Sequence, residues 1–128
     1  MQLCGYNAAA WSPEPAGGKN QREGEMIVVS VMYPASAGAT FDMDYYRQTH
    51  IPLVGARLNA SGLREVKVLQ GAGAPGGGAP AYSVIALLTF DSAADFDQPV
   101  AQHGEEILGD IPNFSSVQPV IQVNDVLI

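Results

Sequence analysis

Two stretches of the chain are apolar at alternate positions and at the positions between them. Residues 27–33, IVVSVMY, are largely β-branched and end at Pro34, and Tyr82–Phe90, YSVIALLTF, repeats the pattern. Side chains alternate across a strand, so a run without alternation predicts a strand buried on both faces. Leu63–Gln70, LREVKVLQ, does alternate, with Glu65 and Lys67 on one side and Val66 and Val68 on the other. That predicts a half-exposed outer strand. A last run, residues 117–123, contains Pro119. Proline gives nothing to a ladder, so this strand belongs at an edge or starts there.

Between these runs the period changes to that of a helix. In residues 40–58, TFDMDYYRQTHIPLVGARL, a count of about 100° per residue places Met43, Tyr46, Leu53 and Val54 within about 60° of His50. The imidazole therefore lies in the core-facing stripe. Thr40 or Asp42 can cap this helix, Asp42 and Asp44 suit its positive end, and it should stop near Asn59 before a turn at Ser61 and Gly62. Pro52 cannot donate to the Gln48 carbonyl, which predicts a bend beside His50. A second helix opens at Asp91 or Ser92, with Ser92 and Asp95 spaced as a capping box, and Pro99 predicts a second kink. Phe96, Pro99, Val100 and Ile107 share one face of it with His103, which then also points inward. Gly109 is expected as a left-handed cap, and the Asp110 carboxylate is expected to cap a short turn over residues 111–114. The segment GAGAPGGGAPA, residues 71–81, reads as a flexible hairpin connection able to gate a site.

Strand, helix, strand, strand, helix, strand is the order of an α+β, ferredoxin-like βαββαβ fold, with a four-stranded antiparallel sheet and both helices on one side. Two strands apolar on both faces then leave an apolar sheet face uncovered. A second copy of the chain is the expected cover, giving a homodimer.

Composition narrows the partners. At 128 residues and 47% hydrophobic content the chain has room for one modest core, and no apolar run reaches the ~18 residues of a membrane span. Six Lys and Arg stand against 13 Asp and Glu, a net charge of -7, and the basic residues do not cluster. Nucleic acid and anionic membrane surfaces are therefore not expected partners. The single cysteine, Cys4, leaves no disulfide framework or cysteine-based metal cluster and suits a cytoplasmic location. No HExxH, CxxC, GxSxG or phosphate-loop pattern occurs. Residues 1–25 carry no hydrophobic period and no basic n-region. Met26 stands directly before the first strand, so residues 1–25 are read as a leader or flexible arm, either translated upstream sequence or native, and residues 26–128 as the domain. A natural product whose intact mass begins at Met1 would remove the first of those options.

The run FDMDYYRQTHIPLV, the GDIPNF turn and the ending QPVIQVNDVL resemble the EthD family, named for a protein of ethyl tert-butyl ether degradation. The resemblance covers residues 26–128. It implies the dimeric α/β barrel superfamily, which also holds muconolactone isomerase, cofactor-free monooxygenases, haem proteins and polyketide cyclases, with a pocket between sheet and helices in each subunit. It carries the motif histidine over to His50 and the paired tyrosines to Tyr45 and Tyr46. In such superfamilies the fold is better specified than the reaction.

The expectation is a cofactor-independent, metal-free enzyme acting on a small apolar carbonyl or aromatic compound, of the isomerase, cyclase or cofactor-free monooxygenase type. Burial disfavours imidazolium, so His50 serves as base, Tyr46 as oxyanion donor, and His103 as partner acid or substrate contact. Tyr33, Tyr45, Tyr82, Met43, Val54 and Phe96 are the expected substrate-binding walls. Two alternatives stay open. One is a non-catalytic binding or accessory protein of a degradation pathway, and the other is a structural dimer whose histidines only pack.

Overall fold

The computed structural model describes residues 26–59 and 62–128, and the reading of residues 1–25 lies outside them. Four strands, β1 (Ile27–Pro34), β2 (Leu63–Gln70), β3 (Tyr82–Phe90) and β4 (Val120–Asp125), form one antiparallel sheet in the order β2-β3-β1-β4. The two doubly apolar strands, β1 and β3, occupy the centre. The alternating strand and the strand beside Pro119 form the edges. The fold is α+β and ferredoxin-like.

Register fixes which side chains share a face. Val29 pairs with Leu88 and Val123, and Val31 with Ala86 and Ile121, so these positions line the helix-covered side with Ile27, Tyr33, Val84 and Phe90. The opposite face carries half-buried Val28, Met32, Ile85 and Leu87, with exposed Leu69 and Val120 beside them. Neither helix covers it. One end of this face is polar, where Asn124 donates to the Val28 carbonyl at 2.8 Å and the Ser30 hydroxyl at 2.9 Å.

The first helix, α1, is composite. It is α-helical over Met43–Tyr45, π-helical over Tyr46–His50 and α-helical again over Ile51–Leu58. Asp42 supplies the N-cap by accepting from the Tyr45 amide at 3.1 Å. The irregularity expected from Pro52 takes the form of a wide turn just before it, with the Ile51 N–H reaching back to the Tyr46 carbonyl. Proline removes one donor and crowds the carbonyl four residues back, and a π turn accommodates both. The second helix, α2 (Ala93–Asp110), is capped by Ser92, whose hydroxyl accepts from the Asp95 amide. It runs on through Pro99. It also runs through Gly109, which has no positive φ, and continues into a 3-10 turn over Ile111–Asn113. The left-handed cap expected at Gly109 is thus absent, because the chain tightens into that turn rather than reversing.

Two straps bring the start of α1 to the end of α2. The Asp42 amide donates to the Phe114 carbonyl at 2.7 Å, and the Thr40 amide to the Ser116 hydroxyl at 2.8 Å. Farther along, Arg57 on α1 forks onto Glu106 of α2 at 2.7 and 3.0 Å, an exposed pair that orients more than it stabilises. Between helices and sheet the interior divides in two. One cluster is centred on Ile27, Val29, Leu88, Phe90 and Phe96, and the other on Tyr33, Tyr46, Val84, Ile111 and Phe114. Among the described residues no helix is long and apolar enough to cross a membrane.

Candidate active site

At the junction of these clusters lies a cavity of about 60 Å³, several times the ~10–15 Å³ that one water occupies by the same measure. Its walls come from β1, β3, β4 and both helices. Aliphatic side chains such as Val29, Leu88, Val100 and Ile107 form most of it, and Tyr33, Tyr46 and His50 supply its polar atoms.

The π turn sets the relation between two of these groups. It carries Tyr46 and His50 inward together, their rings stacked with centroids 5.7 Å apart and planes 18° apart. The Phe114 ring lies tilted against the imidazole with centroids 4.6 Å apart, and Tyr33 meets Tyr46 edge-on at 6.0 Å. Tyr45, one residue before Tyr46, points out of the cavity towards the end of α2. His50 is only 4% exposed.

That burial holds the imidazole below the usual histidine range, and the hydrogen bond to Asp110 only partly opposes it. His50 is therefore neutral near pH 7. Its Nδ1 lies 2.9 Å from Asp110 Oδ2. Burial pushes the Asp110 carboxyl up, but hydrogen bonds from Tyr45, Asn113 and His50 outweigh it and keep the group ionised below its ordinary range. Among the described residues the buried Tyr46 hydroxyl has no hydrogen-bond partner, and burial raises its pKa. Burial does the same for Tyr33, reinforced by Tyr46 and Asp110. Both phenols stay protonated and able to donate.

The architecture is similar to that of an EthD-like protein from Ralstonia eutropha JMP134, which is 41% identical, with 81% of this chain and 94% of that chain covered and a TM-score of 0.75. The chain belongs to the EthD-like family. More distant structures share the fold. One is an ethyl tert-butyl ether degradation (EthD) family protein from Bacillus halodurans C-125, at 17% identity, 80% and 99% coverage and a TM-score of 0.58. Another is a candidate monooxygenase from Shewanella loihica PV-4, at 15% identity, 81% and 96% coverage and a TM-score of 0.54. No family model and no curated protein matches the chain.

In this EthD-like chain the residues singled out from sequence separate into three groups. His50, Tyr46, Tyr33, Val54 and Phe96 line the cavity. Tyr45 stands behind it, its hydroxyl donating to Asp110 at 2.6 Å, and Met43 packs against the aromatic cluster outside the lining. Tyr82 and His103 are not brought to the cavity. Tyr82 begins β3 opposite Pro34, and His103 is half-exposed on the flank of α2, near enough to Glu106 to help hold that carboxyl below its usual range. Its neighbour Gly104 lines the cavity instead.

Asp110 corrects the sequence reading in the other direction. Its carboxylate caps no backbone group of the 3-10 turn. It faces Tyr45, His50 and Asn113, and those donors offset its unfavourable position at the negative end of α2. That unfavourable position was the one signal in the sequence that a compensating partner was needed. The glycine-rich connection between β2 and β3 forms a turn in which the Ala74 amide donates to the Gly78 carbonyl at 2.9 Å, and none of its residues lines the cavity. Among the described residues no group of three or more His, Cys, Asp or Glu is arranged to hold a metal ion.

Proposed function

We propose that this EthD-like protein is an acid–base enzyme acting on a small, neutral, largely apolar molecule that carries one enolisable carbonyl or one phenol. The observation that carries this reading is the pairing, on one apolar wall, of a neutral imidazole and a buried phenol that has no hydrogen-bond partner among the described residues. An unpaired buried hydroxyl is unfavourable by about 1–3 kcal/mol. A ligand oxygen that accepts from Tyr46 removes that penalty.

His50 takes a proton from the carbon next to a carbonyl, or from a phenol, and negative charge gathers on the ligand oxygen. The Tyr46 hydroxyl donates to that oxygen as the charge develops, which is where such a donor lowers the barrier most. The carbanion can be reprotonated elsewhere, attack a second carbonyl of the same molecule, or react with O2. These outcomes correspond to isomerase, cyclase and cofactor-free monooxygenase activity. Among the described residues no Lys or Arg lines the cavity, so an anionic substrate would lose its hydration without a counter-charge. This favours neutral ligands.

Proton exchange tests the base directly. Aryl and cyclic 1,3-dicarbonyl compounds are incubated with the protein in deuterated buffer, and loss of the α-proton signal is followed by NMR. Faster exchange with the wild-type protein, lost in His50→Ala, is the expected result. Tight binding of these compounds without faster exchange would overturn the enzymatic reading and support ligand binding or delivery, which the apolar walls serve equally well.

A second copy of the chain covers the open sheet face. Val28, Met32, Ile85 and Leu87 are central to that face, and a stable dimer would bury about 1,000 Å² or more there. Light scattering at micromolar concentration should give twice the chain mass, and a monomer would refute the pairing.

A further inference from the structure

The two oxygens of Asp110 have different duties. Oδ1 receives the Tyr45 hydroxyl at 2.6 Å and the Asn113 amide at 2.9 Å, whereas Oδ2 receives His50 Nδ1 at 2.9 Å. The carboxylate is thereby clamped in one orientation. An ionised carboxylate only accepts, so the nitrogen facing it carries the proton, and the lone pair of the neutral ring is left on Nε2. Asp110 itself lines no part of the cavity.

We infer that Asp110, held by Tyr45 and Asn113, is a positioning residue that fixes the His50 tautomer and makes Nε2 the proton-accepting atom of the site. The inference deepens the general-base reading and rests on it for its catalytic meaning, though not for its geometry. It also divides the labour of two adjacent tyrosines, since Tyr46 faces the ligand and Tyr45 faces the carboxylate that orients the base.

The clamp makes an isosteric substitution decisive. In Asp110→Asn one oxygen and one NH2 group replace two oxygens. Tyr45 and Asn113 both donate towards the Oδ1 position, so the amide oxygen is held there and the NH2 group faces His50. Nδ1 must then accept, and the proton moves to Nε2. The base leaves the cavity while the shape of the site stays the same. Removing the clamp in the triple variant Asp110→Asn, Tyr45→Phe, Asn113→Ala frees the amide to turn, and its oxygen can again face Nδ1.

Two-bond proton–nitrogen correlation NMR on isotope-labelled protein near neutral pH reads the tautomer without any substrate, with the two histidines told apart by His103→Gln. The expected result is Nδ1–H in the wild type, Nε2–H in Asp110→Asn and a return towards Nδ1–H in the triple variant. In the exchange assay kcat should fall by about 100-fold or more in Asp110→Asn with KM little changed. Nε2–H in the wild type, or an unchanged tautomer in folded Asp110→Asn, would overturn the inference. Absence of exchange activity in a wild type that carries Nδ1–H would instead strike the general-base reading alone.

Discussion

Each helix carries one proline and one histidine, His50 two residues before Pro52 on α1 and His103 four residues after Pro99 on α2, yet of the two only His50 lines the cavity. The difference lies in how each helix accommodates its proline. On α1 a π turn opens over Tyr46–His50, brings the two rings into a stack and turns both to the interior. On α2 the chain stays α-helical through Pro99, and the residues that reach the cavity, Phe96, Val100, Gly104, Ile107 and Leu108, centre nearer Val100 and Gly104, which leaves His103 at the edge of the stripe. His103 is one residue, or about 100°, away from Gly104. It remains half-exposed on the flank, outside the cavity lining. A bend in the helix was therefore less informative than its local hydrogen-bond pattern.

The largest effect that would sharpen or break this contrast is on turnover. His50→Ala should lower it by about 100-fold or more, while His103→Ala should change it by less than about twofold; equal losses in steady-state kinetics would erase the distinction between the helices. Next comes Tyr46→Phe, which should reduce turnover by up to about 100-fold through loss of the oxyanion donor. The same change removes an unpartnered buried hydroxyl and should raise the unfolding free energy by up to about 1 kcal/mol in chemical denaturation. A fall in both quantities would mean that the hydroxyl has a structural partner.

A smaller effect belongs to Gly104. A Cβ there would meet only Val100 Cγ2 at 3.4 Å, although the glycine is buried, so the new methyl would enter the cavity. Gly104→Ala should weaken ligand binding by about tenfold in calorimetry while stabilising α2 by up to about 1 kcal/mol of helix propensity. Unchanged binding would place the ligand elsewhere.

The smallest effect is on acid stability. Burial keeps the folded-state His50 pKa below its ordinary value of about 6.5, so just below that pH the unfolded chain binds more protons than the folded one. Stability then falls on acidification, starting below about pH 6.5 and levelling off once the folded-state pKa is passed. Asp110, also held low, adds a loss of the same sign at more acidic pH, as its carboxylate is protonated. Denaturation midpoints in His50→Phe should lack the first part of this slope, whereas those in His103→Phe should keep it.

Which strands lie at the centre of the sheet and which at its edges, and where the helices fall, were readable from hydrophobic period, because burial on one or both faces of a sheet leaves its mark on adjacent residues. The inward side of α1 was readable too, since Met43, Tyr46, His50 and Val54 share one stripe. The partner of His50 was not. Asp110 is 60 residues away, and its pairing depends on the straps that join residues 40–42 to 114–116. A local count assigned its carboxylate to the nearest turn, which is the choice open to it when only neighbours in sequence are considered.

By itself, then, the sequence determined a ferredoxin-like fold with an inward histidine on its first helix and, through the YYRQTHIP motif, the resemblance to the EthD family. Only the tertiary structure decided which histidine meets the cavity, which tyrosine faces it, and which carboxylate holds the imidazole. The physical reason is one of range. Periodicity records the burial of each element against a core, whereas the chemistry of the site depends on hydrogen bonds between groups that only packing brings within 3 Å of one another.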